Sequence, residues 1–180
     1  MRIIGGALKG REIDAPHLSA RPTTDFAKEG LFNILANLYD FEALDILDLF
    51  GGSGNISFEF ASRGCQSVTC VEMNPIHASF IKKTAQRLQL NAIRVVHHNV
   101  FDFIPLCTQT YDLIFADPPY NLLHLEHLPQ KICAAKLLRP PEGIFILEHS
   151  GSFDFGTYQG FRRKAKYGNV HFSLFSFSPP

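Results

Sequence analysis

The sequence predicts an α/β fold: one mostly parallel sheet with helices on both faces. From residue 43 the chain repeats strand, turn and helix, and strands that alternate with helices form a parallel sheet covered on both sides. The first of these strands reads as buried and runs straight into a glycine-rich turn, Gly51-Gly52-Ser53-Gly54. At 180 residues the chain fits one domain, which buries roughly 70% of the surface its unfolded form exposes and needs no disulfide. The expected division is an N-terminal extension over 1–20 and an α/β core over 21–180.

Residues 2–14 alternate loosely around Gly5-Gly6 and Lys9-Gly10, which predicts a β-hairpin. Ala20-Arg21-Pro22-Thr23-Thr24 breaks the chain. Thr23 or Thr24 can cap a helix running through Phe26, Leu31, Phe32, Ile34, Leu35 and Leu38. The first core strand spans Ala43 to Phe50, and a helix follows from about Asn55 to Ser62. Ser67 to Glu72 is the second strand. Pro75 then sits in a helix first turn, where its missing N–H costs nothing. Ile93 to His97, Tyr111 to Ala116 and Gly143 to Glu148 are the third, fourth and fifth strands, with a helix around Leu125 to Leu137 before the fifth. Phe161 to Phe177 reads as two more strands about the turn pair Gly168-Asn169, which makes seven.

Composition is that of an ordinary globular protein, with 46% apolar and 19% charged residues. Formal net charge is zero, so any nucleic-acid contact must come from local patches. Two segments are locally basic: Lys9 with Arg11, and Arg162-Arg163-Lys164 with Lys166. The ordinary reading of either is a solvated face. Cys65, Cys70, Cys107 and Cys133 lack metal-knuckle or thioredoxin spacing and read as buried or half-buried thiols in a reducing compartment. The eight histidines show no metal-ligand pattern, so no metal is expected. No apolar run reaches membrane-span length and the first residues are not a signal peptide, so the expected location is cytoplasmic.

Ligands of such sheets bind outside the carboxyl ends of the strands. The first strand ends Asp48-Leu49-Phe50-Gly51-Gly52-Ser53-Gly54. Glycines let a ligand approach the main chain. Beside Asp48, a ligand with an amino group and a positive sulfur is favoured over a pyrophosphate, which prefers a bare helix N-terminus. Glu72, at the end of the second strand, can accept two ribose hydroxyls. Together these fit a nucleoside-bearing cofactor, either a nicotinamide dinucleotide or S-adenosylmethionine. The strict dinucleotide pattern fails, since Ser57 stands where its last Gly belongs.

The fourth strand decides between them. It ends Asp117-Pro118-Pro119-Tyr120. Two prolines stiffen the turn and remove two N–H donors. Asp117 and the Pro118 carbonyl can accept from an exocyclic NH₂, and Tyr120 can stack on the ring that carries it. Orienting the N–H bonds toward two acceptors helps free the nitrogen lone pair for attack on a methyl group.

These strand ends resemble the Rossmann-like class I methyltransferase fold with the amino-methyltransferase motif. The opening Arg2-Ile3-Ile4-Gly5-Gly6, Lys9-Gly10-Arg11, Arg21-Pro22-Thr23-Thr24-Asp25 and Lys28-Glu29-Gly30-Leu31-Phe32-Asn33-Ile34-Leu35, with Tyr167-Gly168 near the end, resembles the RsmD family. The resemblance implies a seven-stranded sheet with an antiparallel C-terminal strand and methylation of the N2 amine of a guanine in 16S ribosomal RNA within a small-subunit particle. It implies that S-adenosyl-L-methionine lies across strands one to three, near Asp48, Phe50, Gly51, Gly52, Ser53 and Gly54, then Glu72 and Met73, then Asn99 and Val100, with Asp117 beside the methyl group. Asp117, Pro118, Pro119 and Tyr120 are the expected catalytic segment, and Lys9, Arg11, Arg21, Arg162 and Arg163 the expected RNA contacts. Two residues depart from the family pattern. Asn99 stands where an Asp often holds the adenine amine, and Gly30 stands where Ala is usual.

Three other readings keep part of this pattern. The same tetrad serves adenine or cytosine in DNA, and a close variant serves protein glutamine. A nicotinamide-dependent oxidoreductase explains the Gly turn and Glu72 but leaves Asp117 to Tyr120 idle. A non-catalytic RNA-binding module leaves all three strand-end acids idle.

Overall fold

The computed structural model describes residues 1–15, 24–119 and 122–177. The 20/21 division, Arg21, Thr23 and Tyr120 lie outside the described residues. Among those described, five helices and seven strands follow in order: α1 (Asp25–Ala36), β1 (Asp45–Leu49), α2 (Asn55–Ser62), β2 (Ser67–Glu72), α3 (Pro75–Arg87), β3 (Ile93–His97), α4 (Val100–Leu106), β4 (Leu113–Ala116), α5 (Leu128–Ala134), β5 (Ile144–His149), β6 (Phe161–Tyr167) and β7 (Val170–Phe175). The strands form one sheet in the order β3-β2-β1-β4-β5-β7-β6. β1 to β5 run parallel. β7 alone is reversed, because it pairs antiparallel with both β5 and β6.

The period-2 alternation of strands sorts the core into two faces. Ile46 and Val68 pack with Leu31, Phe32, Ile56 and Phe60 of α1 and α2, and Cys70 continues this face against Ile81 and Ala85 of α3. Leu47, Leu49 and Val71 face the other way, against Val100 and Ile104 of α4 and Leu128 and Ile132 of α5. Asp48 therefore points toward the face of α1 to α3. No described helix is long and apolar enough to cross a membrane.

Local signals account for most helix starts. The Thr24 hydroxyl accepts from Ala27 N–H at 3.2 Å and caps α1. Asn74 caps α3, accepting from Ile76 N–H at 2.9 Å, with Pro75 next. Helix α4 is not legible in the sequence, because Pro105 lies inside it. It is short enough to hold the proline near its end, and Asn99 caps it. The expected helix over 125–137 is a 3₁₀ turn at Leu125–His127 followed by α5. It stops early because Lys136 turns left-handed, at φ 52°.

The N-terminal hairpin exists in reduced form. Arg2 and Glu12 make a single antiparallel bridge, flanked by Ile3 N–H to Arg11 carbonyl at 2.9 Å and Ile13 N–H to Met1 carbonyl at 2.8 Å. A 3₁₀ turn at Gly6–Leu8 replaces a hairpin tip. The arms are drawn onto α2, where Ile4 N–H donates to Glu59 Oε2 and Leu8 N–H to Ser62 Oγ, both at 2.9 Å.

Gly30 has a packing reason. A Cβ there would overlap the ring of Tyr167, which lies against Phe26 at 5.8 Å and Phe172 at 6.0 Å between centroids. Gly30→Ala gains up to about 1 kcal/mol of helix propensity but must displace that ring, at a cost of about 1–3 kcal/mol. Thermal denaturation is expected to show net destabilisation, changing to stabilisation in a Tyr167→Ala background. Stabilisation in both backgrounds would show that the ring moves freely.

Candidate active site at the carboxyl ends of the strands

β1 carries an acid at each end, and their surroundings are opposite. At the amino end, Asp45 accepts from Arg139 Nη2 at 2.8 Å and from Ser67 Oγ at 2.6 Å. Arg139 also grips Asp112 through Nη1 at 2.7 and 2.6 Å. Hydrogen bonds from Arg139 and Ser67 hold the Asp45 carboxyl below its usual range. This is a stabilising clamp between β1 and β4.

At the carboxyl end, Asp48 is 2% exposed and accepts from the neutral hydroxyl of Ser57 at 2.5 Å. Burial pushes its carboxyl up to about 7, the charges of Asp117 and Glu72 push the same way, and Ser57 opposes them. The three predicted acids are thus close enough to feel one another.

The glycine turn between β1 and α2 is held by Glu72. Gly52 N–H donates to Glu72 Oε2 at 2.6 Å, and Asn74 N–H to Oε1 at 2.7 Å. Each oxygen keeps lone-pair capacity for a hydroxyl. Gly51 lies over Cys70, whose sulfur a Cβ would overlap, so the turn sits directly on β2. Gly54 is left-handed, at φ 78°. Ser53 is buried. Phe50 is also left-handed, at φ 65°, a conformation uncommon for a bulky residue. Its ring stands edge-on to Phe101, centroids 6.3 Å apart.

Asn99 Oδ1 accepts from Phe101 N–H at 2.8 Å, and Nδ2 points to Met73 Sδ at 3.5 Å. Asn99 is therefore first a helix cap, with one lone pair of its oxygen already engaged. His97 Nε2 lies 2.9 Å from the Met73 carbonyl, so its ring proton is on Nε2. Met73, at 62% exposure, is thus anchored by its main chain while its side chain faces outward. Val100, the first residue of α4, is buried.

At the end of β4, Asp117 is half-buried, Pro118 buried and Pro119 exposed. The Pro119 carbonyl accepts from Leu122 N–H at 2.8 Å.

The structure brings Asp48, Glu72 and the Gly51–Gly54 turn together, with Asp117 within electrostatic reach, and Asn99 with Met73. Sequence reasoning missed Ser57, Phe101 and His77, whose Nδ1 lies 3.9 Å from Glu72 Oε1. Ser57, one turn into the helix after the glycines, was the findable one. Of the expected RNA contacts, Lys9, Arg11, Arg162 and Arg163 are exposed. The last two lie on β6, the outer strand of the sheet, where charge also guards an unpaired edge. Cys65 and Cys70 are buried and Cys107 and Cys133 half-buried, as the thiol reading expects. His124, Glu126 and His127 bring ligand atoms within 4.8 Å of one another in the turn before α5, a grouping common on exposed surfaces without an ion.

The fold recurs in known proteins. Ribosomal RNA small subunit methyltransferase D of Buchnera aphidicola is 27% identical over 97% of this chain and 91% of its own length. The enzyme of the same name from Haemophilus influenzae is 32% identical over 81% of this chain and 77% of its own. The solved yhhF structure of Escherichia coli superposes with a TM-score of 0.84 at 29% identity, covering 100% of this chain and 99% of that one. The family model described as "Conserved hypothetical protein 95" matches residues 1–176, and the chain belongs to that family, the RsmD family.

Proposed function

We propose that this protein methylates the exocyclic N2 amine of a guanine in 16S ribosomal RNA, with S-adenosyl-L-methionine as donor and a small-subunit particle as substrate. The observation that carries the reading is the site's excess of negative charge. Asp48 is buried with Glu72 and Asp117 close enough to push its carboxyl up, so the pocket favours a cationic ligand. S-adenosylmethionine fits, since it brings an ammonium and a sulfonium, and the sulfonium makes its methyl group transferable. The names of the curated relatives supply the RNA.

In this reading Asp48 receives the amino group beside the glycine turn. Glu72 holds the ribose hydroxyls while its main-chain bonds keep the turn closed. Met73, Asn99 and Val100 flank the adenine, with Phe50 and Phe101 below. Asp117 and the Pro118 carbonyl accept the two N–H bonds of the guanine amine, and the Pro118-Pro119 pair keeps that carbonyl fixed. Tyr120 stacks on the extruded base and offsets part of its unstacking cost, a few kcal/mol. Asp117 accepts the proton that leaves the nitrogen. The residues mainly contribute orientation.

The test is transfer of labelled methyl to small ribosomal particles, naked 16S RNA, DNA and protein, followed by nucleoside analysis. N2-methylguanosine from particles supports the reading. Methyl on DNA or protein keeps the tetrad chemistry and overturns the substrate. Lys9, Arg11, Arg162 and Arg163 are assigned to phosphates. Replacing all four by Gln is expected to weaken RNA binding and to lower its salt slope by up to roughly 0.7 to 0.9 per lost contact. An unchanged slope would place them on ordinary solvated surface.

A further inference from the structure

Lys28 is the most unusual side chain outside the site. It is fully buried, at 0% exposure, in the first turns of α1. A buried ammonium is costly unless its donors are matched, and a core position of this size would ordinarily take an apolar residue. Its Nζ donates to the Arg2 carbonyl at 2.6 Å and to Asn55 Oδ1 at 2.8 Å, and lies 3.5 Å from Glu59 Oε2. An ammonium has three donors, and these three acceptors match them.

Two of the acceptors, Asn55 and Glu59, stand one turn apart on α2, and the third lies on the N-terminal arm. Arg2 belongs to the N-terminal arm. Glu59 holds the same arm by accepting from Ile4 N–H at 2.9 Å, and its other oxygen accepts from Arg63 Nε at 2.9 Å. Asn55 is the first residue of α2, directly after Gly54. Gly54 has no side chain with which to cap that helix, so the junction between turn and helix depends on contacts from elsewhere.

We propose that Lys28 is a positioning residue for the cofactor turn, fixing the Gly51–Gly54 backbone through Asn55 and tying it to the N-terminal arm. Its ammonium locks the Asn55 amide, and Asn55 sets where the turn ends. The arm that carries Lys9 and Arg11 is thereby in one hydrogen-bonded unit with the cofactor-binding backbone. This rests on the proposed cofactor reading, and the experiment separates the two.

The experiment is a double-mutant cycle on the full chain with Lys28→Met and Asn55→Ala, read as the dissociation constant for S-adenosylmethionine, with KM for the cofactor and kcat measured alongside. Lys28→Met keeps the length of the stem, and Glu59 keeps Arg63 as its partner. Each single variant is expected to weaken cofactor binding about tenfold, the usual scale for losing a hydrogen bond to a charged group. The double variant is expected to be no weaker than either single, because both break one path. KM for the cofactor rises while kcat at saturation stays within about twofold, as for loss of uniform binding. If Lys28→Met does not fold, Lys28→Met with Glu59→Gln removes both buried charges and replaces it in the cycle. Unchanged cofactor affinity, or effects that simply add, would overturn the inference. Absence of cofactor binding by the wild-type chain would overturn the reading beneath it instead.

Discussion

Asp117→Ala is expected to lower methyl transfer by about 100-fold or more, the scale for removing one oriented polar group from a reacting centre, while S-adenosylmethionine binding stays within a few fold. The separation follows from position. Asp117 lies at the end of β4, next to β1 in the sheet, on the side of the pocket assigned to the base, and its charge reaches Asp48. Asp48 and Glu72 keep their own partners, Ser57, Gly52 and Asn74. Removing the Asp117 charge also relieves one of the influences that push the Asp48 carboxyl up. Asp117→Asn is expected to fall between, because its amide oxygen still accepts one N–H. Tyr120→Ala is expected to give the same split, since stacking orders the base and not the cofactor. Kinetics at saturating cofactor, paired with calorimetric binding, check both. A Tyr120→Ala protein that loses cofactor binding but transfers methyl normally once saturated would remove Tyr120 from the base-binding role.

The contrast between Asp45 and Asp48 explains why the site was legible and where legibility stopped. Both are acids on one strand, and sequence position alone separates them, because the carboxyl ends of parallel strands face the ligand. That rule singles out Asp48, Glu72 and Asp117, which stand at the carboxyl ends of β1, β2 and β4. It did not find Ser57, since a serine in a helix has no signature until its acid partner is placed. Nor does it show that Asn99 caps a helix, because Pro105 hides α4 and a cap cannot be recognised without its helix. The core elements from β1 to β3 were read almost to the residue, since each is bounded by Gly, Pro or Asn with a fixed structural meaning. The N-terminal segment was read for its charges. Lys28, just beyond it, carries no expectation of burial and is 0% exposed. Nothing in a short charged string reveals that an ammonium will find three acceptors on two distant segments.

Asp48 gives the strongest pH dependence. Its carboxyl stands at about 7 in the folded protein against an ordinary 3.8. The folded chain therefore holds a proton that the unfolded chain releases between those values. The sign follows: without cofactor, stability falls as pH rises from about 4 to about 7 and is flat beyond, by at most on the order of 4 kcal/mol. Asp48→Asn keeps an acceptor for Ser57 and removes the charge, so it is expected to raise the thermal midpoint of the cofactor-free protein at pH 8 and to have little effect at pH 4. The same substitution should weaken cofactor binding, because the ionised carboxylate is the form that receives an ammonium. Wild-type affinity is then expected to rise with pH up to about 7, by at most about tenfold per unit, and to fall again above about 8 as the α-amino group loses its proton. Calorimetry in two buffers of different ionisation enthalpy, below pH 7, should show proton release on binding in the wild type. Asp48→Asn should lose both that release and the acidic limb of the profile. An acidic limb that survives in Asp48→Asn would assign the titration to another group and separate the raised Asp48 carboxyl from cofactor recognition.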